Sequence, residues 1–229
     1  MQFQGTGMLW TSLLMVGYPL KPVCLANLGR CLMSRFKRLG ELSDLEDTIS
    51  TLRDAVNLPP RGYPDKPVYL DLLGNSFLTR FLHLGELSDL EDAISRHRDA
   101  VAFTHHHRPD KPGWLTNLGK SLAIRFRLLG ELSDLEDAIS KHRDAVKFIS
   151  RGHRDRPTCL VNLSNSLFDR FERLGELSDI EDPISMRGVA IDLTPHRHPN
   201  KLAWLSKLNE IFLARFKCLG ELRGLENTC

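Results

Sequence analysis

Leucine and phenylalanine recur at spacings of three and four after Lys111. The run consists of Leu115, Leu118, Leu122, Phe126 and Leu129. Because such spacings bring side chains to one face of an α-helix, the run predicts an amphipathic helix with a buried stripe. Asp110 and Pro112 suit its first turn, where the missing proline N–H costs nothing, and Gly130 suits the left-handed turn that ends a helix.

A second helix is predicted directly afterwards. Ser133 and Glu136 are spaced as a capping box, in which the serine oxygen accepts a bond from the backbone N–H three residues on. A second apolar stripe follows, made of Leu135, Ala138, Ile139, His142, Ala145 and Val146. The unit is therefore predicted to be helix, tight turn, helix and loop.

The same unit recurs every 45 residues. LGELSDLEDAIS stands at 84–95 and again at 129–140, with close variants at 39–50 and 174–185 and a decayed copy from Leu219. Since one helix pair cannot bury both its faces, successive pairs must stack. We predict an all-α, right-handed α-solenoid of antiparallel helix pairs. Its four full repeats are expected at 17–61, 62–106, 107–151 and 152–196, with a truncated fifth at 197–229 and a non-repeat segment at 1–16 that covers the first helix.

The repeat resembles the tetratricopeptide (TPR) family. The resemblance rests on Leu115, Leu118-Gly119 and Leu122 in the first helix, and on Ala138, His142 and Ala145 in the second. A typical TPR has about 34 residues, so this unit requires longer helices and a longer loop. HEAT and armadillo arrays suit the period, but their signatures do not match. The repeated motif RFxxLGELSDLEDAI, preceded by DKPxxLxNLG, is similar to the repeats of fungal TPR-like arrays that accompany caspase-like CHAT domains or nucleotide-binding signalling domains. Neither domain is in this sequence, so no activity is inferred from either.

Features present in every repeat are interpreted as structural. Each unit contains an Arg-Phe pair, at Arg35-Phe36, Arg80-Phe81, Arg125-Phe126, Arg170-Phe171 and Arg215-Phe216. We expect the phenylalanine in the core and the arginine paired with the acidic start of the next helix, for instance Glu136 or Asp137. A ladder of arginines for phosphate is the functional alternative.

Features that differ between repeats are candidates for function or decay. His105, His106 and His107 could hold a metal ion with His153, although consecutive loop side chains rarely converge on one ion and a solvated loop is favoured. His97 and His142 are expected to pack with one wet edge. In the fourth unit, Pro183 and Gly188 predict a shortened or kinked helix.

The resemblance also implies where a partner would bind. First helices of TPR arrays line a concave face, and the polar positions around Leu-Gly meet the ligand. The candidates carried over are Asn27, Arg30, Asn75, Asn117, Lys120, Asn162, Asn165 and Lys207, with Asp71, Thr116, Ser206 and Glu210 beside them. Asparagine amides can hold a peptide backbone and cations can hold a carboxylate. An ordinary solvated helix face is the alternative.

Composition narrows the function class. Hydrophobic residues make up 41% and charged residues 26%, as in soluble globular chains. The net charge of +2 comes from interleaved charges, which leaves no block to attract nucleic acid or membrane. The apolar stretch Met8 to Leu20 is too short to span a bilayer, and no Lys or Arg precedes it as in a signal peptide. Five cysteines without a close-spaced pair indicate a reducing compartment, so we expect a cytoplasmic protein.

The sequence therefore predicts a non-catalytic protein-interaction scaffold. No catalytic triad, zinc motif or phosphate loop has a credible context, so neither an enzyme nor a cofactor is expected. The expected partner is a peptide or helix of another protein, bound in the groove of the first helices. The alternative is a regulatory or sensing segment of a larger CHAT-protease or nucleotide-binding signalling protein. RNA binding is disfavoured by the balanced charge.

Overall fold

The computed structural model describes residues 20–60, 62–104 and 108–226. The chain divides between residues 106 and 107 into two compact units. In the first unit the helices are α1 (Leu20–Leu39), α2 (Leu42–Asn57), α3 (Lys66–Leu84) and α4 (Leu87–Ala102). In the second they are α5 (Lys111–Leu129), α6 (Leu132–Phe148), α7 (Arg156–Leu174), a 3-10 turn (Leu177–Asp179), α8 (Glu181–Asp192) and α9 (Lys201–Glu226).

Helix pairs are the building unit, as predicted. In the first unit α1 packs on α2 and α3 on α4, and α2 also packs on α3. In the second unit α5 packs on α6 and α7 on α8, while α6 meets α7 and α8 meets α9. The predicted all-α array of antiparallel pairs, spaced about 45 residues apart, is confirmed. Residues 1–16, expected to cover the first helix, lie outside the described residues.

Glycine ends the first helix of each pair. The backbone φ angles lie between 73° and 78° at Gly40, Gly85, Gly130 and Gly175. Each glycine N–H donates to the carbonyl of the phenylalanine four residues earlier, at 2.7 Å for Gly130 and Phe126. A side chain is strained at such a φ, which is why glycine is needed there. The equivalent glycine of the fifth unit, Gly220, was expected to end a helix in the same way, but it lies inside α9.

The predicted capping box does not form. Helix α6 begins two residues earlier than expected, at Leu132, so Glu131 is the cap residue and makes no side-chain cap bond. The Asp134 N–H donates instead to the Glu131 carbonyl at 3.0 Å. Ser133 therefore lies within the first turn, where its side chain no longer has the position of a cap.

The acidic residue that binds the arginine at the start of α6 is Asp134. Arg125 Nε and Nη2 donate to its two carboxylate oxygens at 2.7 and 2.6 Å. The same bidentate pair, nine residues apart, joins Arg35 to Asp44, Arg80 to Asp89 and Arg170 to Asp179. The predicted pairing of the arginine with the acidic start of the next helix is confirmed, but the partner is Asp134 and not Glu136 or Asp137, because the helix starts earlier than expected. Each pair fixes the hairpin between the two helices of a repeat.

The predicted stripe of α5 is mostly buried. Leu115, Leu118, Leu122 and Phe126 lie in the core, but Leu129 is exposed, contrary to the prediction. Phe36 and Phe171 are also buried, as expected of the Arg-Phe pairs, whereas Phe216 on α9 is 75% exposed. Phe81 is only half-buried, so the prediction of a core phenylalanine holds for three of the five Arg-Phe pairs.

A glycine and a histidine face each other between the two helices of the second and third repeats. A Cβ built on Gly119 would lie 2.6 Å from ring atoms of His142, and one on Gly74 would lie 2.5 Å from His97. Both rings are buried, at 0% exposure for His97 and 2% for His142. The expectation of a wet edge is therefore wrong, since the absence of a glycine side chain lets the ring fill the space between the helices.

The fourth repeat departs from the others at its second helix. Helix α8 has 12 residues where α6 has 17, and a 3-10 turn precedes it. The predicted shortening is confirmed. Pro183 lies in the first turn of α8, where no backbone donor is lost, and Gly188 lies inside the helix without ending it.

Two expectations concern membranes and metals. No helix in the described ranges is long and apolar enough to cross a membrane. The triple histidine at 105–107 lies outside the described residues. Within the described part of the chain, no three His, Cys, Asp or Glu residues cluster as a metal site would require.

Candidate functional site

The predicted site residues of the first unit lie on α1 and α3. Asn27 and Arg30 are exposed on α1. Asn75 is half-buried on α3, and its amide nitrogen donates to Asp71 Oδ2 at 3.1 Å. Asp71 Oδ1 lies 3.9 Å from Nε2 of the buried His97. This polar group on α3 therefore faces the buried histidine of α4.

In the second unit, the predicted residues of α5 separate into bonded and exposed ones. Thr116 donates to the Pro112 carbonyl at 2.8 Å, and Asn117 is half-buried beside it. Lys120 is exposed on α5, while Asn162 is half-buried on α7 and Ser206 is exposed on α9.

Side chains from α5, α7 and α9 enclose an open pocket of about 560 Å³. Its lining consists of Phe126, Arg127, Asn165, Asp169, Glu172, Arg173 and Lys207. Two of the predicted residues, Asn165 and Lys207, are thus brought together. The other predicted residues of the second unit do not line this pocket.

The pocket is rich in charge and slightly positive. Three cations and two carboxylates line it, which gives a formal charge of 3 − 2 = +1. Arg127 binds Asp169 through Nε at 3.1 Å and Nη2 at 2.8 Å. Lys207 Nζ lies 2.7 Å from Glu210 Oε2 and 4.8 Å from the centroid of the Phe168 ring. These pairs position the cations without burying them.

A buried arginine stands behind Asn165. Arg187 is 1% exposed, donates from Nε to Ser164 Oγ at 3.3 Å and also bonds Asn165 Oδ1. Burial lowers the pKa of Arg187 to about 10, although nearby Glu210 acts in the opposite direction. The guanidinium therefore stays charged at neutral pH and fixes the Asn165 carbonyl, so the amide nitrogen provides the donors that Asn165 can offer a ligand.

Five lining residues were not predicted as site residues, and one of them, Phe126, was predicted only for the core. Asp169, Glu172 and Arg173 lie four, seven and eight positions after Asn165, and Arg127 lies at the end of α5. Because residues at these spacings share a helix face, extending the predicted polar band by helical periodicity would have found those on α7.

The first unit has a smaller pocket of about 190 Å³ on a different set of helices. It is lined by Arg53, Val56, Asn57, Leu73, Phe77, Asp92 and Arg96, from α2, α3 and α4. The Arg53 guanidinium lies 5.3 Å from the centroid of the Phe77 ring. None of the predicted site residues lines it.

The arrangement of helix pairs is found in a solved structure. The crystal structure of nearly identical TPR-like repeats from Podosopora anserina, in a protein assigned as a kinesin light chain, matches with a TM-score of 0.60. The match covers 90% of this chain and 97% of that one at 12% identity. The fold is a TPR-like helical repeat.

Other solved structures resemble the TPR-like chain less closely. The de novo designed helical repeat protein DHR64 has a TM-score of 0.42 at 15% identity, over 83% of this chain and 95% of that one. Residues 1–338 of Acl4, the assembly chaperone of RpL4, match with a TM-score of 0.42 at 17% identity, over 86% of this chain and 75% of that one. No protein-family model matches the sequence, and no curated protein matches it.

Proposed function

We propose that this TPR-like chain is a non-catalytic interaction scaffold that binds a peptide or helix of a partner protein across α5, α7 and α9. The observation that carries the proposal is the pocket that these three helices line, with Asn165 and Lys207 in its wall. A surface built from several successive repeats suits an elongated ligand, because each repeat adds contacts along its length.

The chemistry of the pocket favours a segment that carries acidic side chains among neutral ones. Arg173 and Lys207 provide cations of the kind that bind carboxylates, whereas Phe126 is buried and offers a ligand little surface. Asn165 adds an amide donor for a peptide carbonyl. Glu172 and Asp169 disfavour a ligand of uniformly high negative charge, so the proposed ligand is mixed in composition.

Two finer proposals remain from the sequence. Asn27, Arg30 and Asn75 in the first unit, with Asn117, Lys120 and Asn162 in the second, are proposed as further ligand contacts, and the protein is proposed to work in the cytoplasm. The alternative role, as a regulatory segment of a CHAT or nucleotide-binding signalling protein, rests on the resemblance of the repeat motif to those arrays. No comparison links this chain to either domain.

Peptide selection on the intact chain tests the proposal. Peptides would be selected from a displayed random library, and their dissociation constants measured by fluorescence anisotropy. The double variant Arg173→Glu/Lys207→Glu should weaken the selected peptides at least tenfold, because two of the three cations that line the pocket change sign. The matched control is Arg143→Glu/Lys147→Glu, which makes the same charge change at exposed positions of α6.

The control separates a site from a general effect of charge. We expect it to change the affinity less than twofold, with both double variants retaining the helical circular-dichroism signal. An equal loss in both variants, or no loss in either, would remove the pocket from the binding site and favour an ordinary solvated face.

A further inference from the structure

Arg187 on α8 is a buried cation without a counter-charge of its own. It is only 1% exposed, yet its bonds go to neutral groups, from Nε to Ser164 Oγ at 3.3 Å and from Nη2 to Asn165 Oδ1. In the described part of the chain, no carboxylate forms an ion pair with it. The charge of Glu210 on α9 acts on Arg187, but this carboxylate is bonded to Lys207. A charge removed from water is costly unless an opposite charge lies close, so this arginine requires an explanation.

The packing of the repeats does not require this charge. The same position is Leu52 in the first repeat and His142 in the third, and both side chains are buried there. Ser164 already donates from its hydroxyl to the Pro183 carbonyl at 2.9 Å. Asn165 is half-buried, so water can reach it in the absence of the arginine. A neutral side chain would therefore fill the position without leaving a neighbour unbonded.

The cations that line the pocket of α5, α7 and α9 are paired or exposed. Arg127 Nη2 lies 2.8 Å from Asp169 Oδ2, and Lys207 Nζ lies 2.7 Å from Glu210 Oε2. Arg173 is exposed, and water screens the charge of an exposed side chain strongly. These three cations therefore distinguish weakly between an acidic ligand and a neutral one.

Arg187 acts on the same pocket from within the protein. Asn165 lines the pocket, and the bond from Arg187 occupies its carbonyl oxygen. The amide nitrogen of Asn165 is thus left as the donor to a ligand, and a charged bond to the carbonyl polarises it further. A buried charge also acts more strongly than an exposed one, because the surrounding protein screens it less than water does. An acidic group bonded by Asn165 would supply the counter-charge that Arg187 lacks.

We propose that Arg187 determines the ligand specificity of the pocket: its buried charge, acting through Asn165, makes the pocket select a carboxylate over the uncharged amide of the same shape. The inference rests on the proposed function and names the chemical group that is bound beside Asn165. Arg187 is a positioning residue, because it acts on the ligand through Asn165. Aspartate and glutamate side chains share this carboxylate chemistry with the C-terminus of a peptide.

Acetate is the first probe because it is a bare carboxylate, and acetamide is its neutral counterpart. Each would be titrated into the isotopically labelled intact chain at constant ionic strength and followed by nuclear magnetic resonance. The side-chain amide signals of Asn165, identified by their loss in Asn165→Ala, should shift saturably with acetate and not with acetamide. In Arg187→Leu the half-saturation concentration of acetate should rise at least fivefold.

Three variants of Arg187 separate its charge from its packing. Arg187→Leu removes a buried charge and copies the first repeat, so its thermal midpoint should equal or exceed that of the native chain. Arg187→Gln also removes the charge but retains a donor for Asn165, and it provides a second neutral variant if the leucine disturbs the fold. Arg187→Lys retains the charge and should keep the half-saturation concentration of acetate within twofold of the native value. Equal loss of binding in all three variants would assign Arg187 to packing alone and overturn the proposal.

The peptides selected on the intact chain provide the second test. Changing the bound acidic residue of a selected peptide to its amide should weaken binding to the native chain at least tenfold, but to Arg187→Leu less than threefold. Changing the C-terminal carboxylate to an amide tests the other source of the group in the same way. His97→Leu, a matched change in the first unit, should leave the native ratio unchanged. The ratio should persist at about 0.5 M sodium chloride, because salt screens buried charges less than exposed ones.

The two probes allow the inference and the proposed function to fail separately. If acetate binds as expected but no peptide is selected, the peptide scaffold fails while the carboxylate site stands. If peptides bind but the change from acid to amide costs the same in the native chain and in Arg187→Leu, the inference is overturned and the scaffold stands. Loss of the ratio in high salt would assign the specificity to the exposed Arg173 instead of Arg187. The absence of a saturable shift with acetate would also overturn the inference.

Discussion

The contact between Gly119 and His142 predicts an unusual response to an alanine substitution. Alanine normally stabilises a helix interior over glycine, by about 1 kcal/mol, because it reduces the freedom of the unfolded chain. At Gly119 the added methyl group would lie 2.6 Å from the His142 ring, closer than packed carbon atoms can stand. The ring is buried between α5 and α6 and has little room to move.

The two effects have opposite signs and different sizes. Overpacking a close contact in a core costs about 1–3 kcal/mol, and a contact this short belongs at the upper end. After subtracting the propensity gain, we expect Gly119→Ala to lower the free energy of unfolding by about 2 kcal/mol. Gly188, in the interior of α8, is the matched control because an added Cβ there meets nothing within 4 Å. Gly188→Ala should stabilise by up to about 1 kcal/mol.

Urea denaturation followed by circular dichroism measures both variants. With a denaturant slope of roughly 2.5 kcal/mol per molar, the midpoint should fall by about 0.8 M for Gly119→Ala and rise by about 0.4 M for Gly188→Ala. Adding Gly119→Ala to a His142→Ala background should cost far less, since the ring that opposes the methyl group is gone. If Gly119→Ala were as stabilising as Gly188→Ala, or equally harmful without the ring, the packing argument would be refuted.

Two other predictions concern groups buried between the helices. Burial lowers the pKa of His142 from 6.5 to about 4, so between these values the unfolded chain binds more protons and stability falls with falling pH. His142→Leu should reduce the loss of unfolding free energy between pH 7 and pH 5 by about 2 kcal/mol, which would flatten a plot of urea midpoint against pH. An unchanged slope of that plot would exclude His142 as the source of the pH dependence. Asp134→Asn should cost about 1–3 kcal/mol, because it breaks the two charged bonds from Arg125. Asp137→Asn, at an exposed position of the same helix, should change the thermal midpoint by less than a degree, and equal effects of the two would contradict the pairing.

Local residue chemistry was a good guide to the ends of the first helices and a poor one to the starts of the second. Gly130 ends its helix as predicted because the requirement for positive φ is a property of the backbone itself. The predicted capping box does not form because the start of the second helix also depends on a contact with the first helix. The bidentate bond between Arg125 and Asp134 joins two helices, and its contribution is not contained in the local sequence.

The candidate surface was predicted only in part. The sequence placed Asn165 and Lys207 on first helices, and the structure brings them into one pocket. It placed Arg187 at the repeat position of His97 and His142 but did not reveal that Arg187 bonds the Asn165 carbonyl. That bond joins α8 to α7, and a periodic pattern along one helix carries no information on which side chains of the next helix reach it.

The sequence by itself determined that this chain is an array of helix pairs. The spacing of the apolar residues fixes which segments form helices. The period of 45 residues requires each helix pair to pack as the preceding pair does, because the same sequence segment buries the same helix face each time. Only the tertiary structure decided which copy of a repeated residue is covered. Phe126 and Phe216 occupy the same place in their repeats, yet one is buried and the other exposed, since burial depends on the helix packed opposite and not on the residue itself.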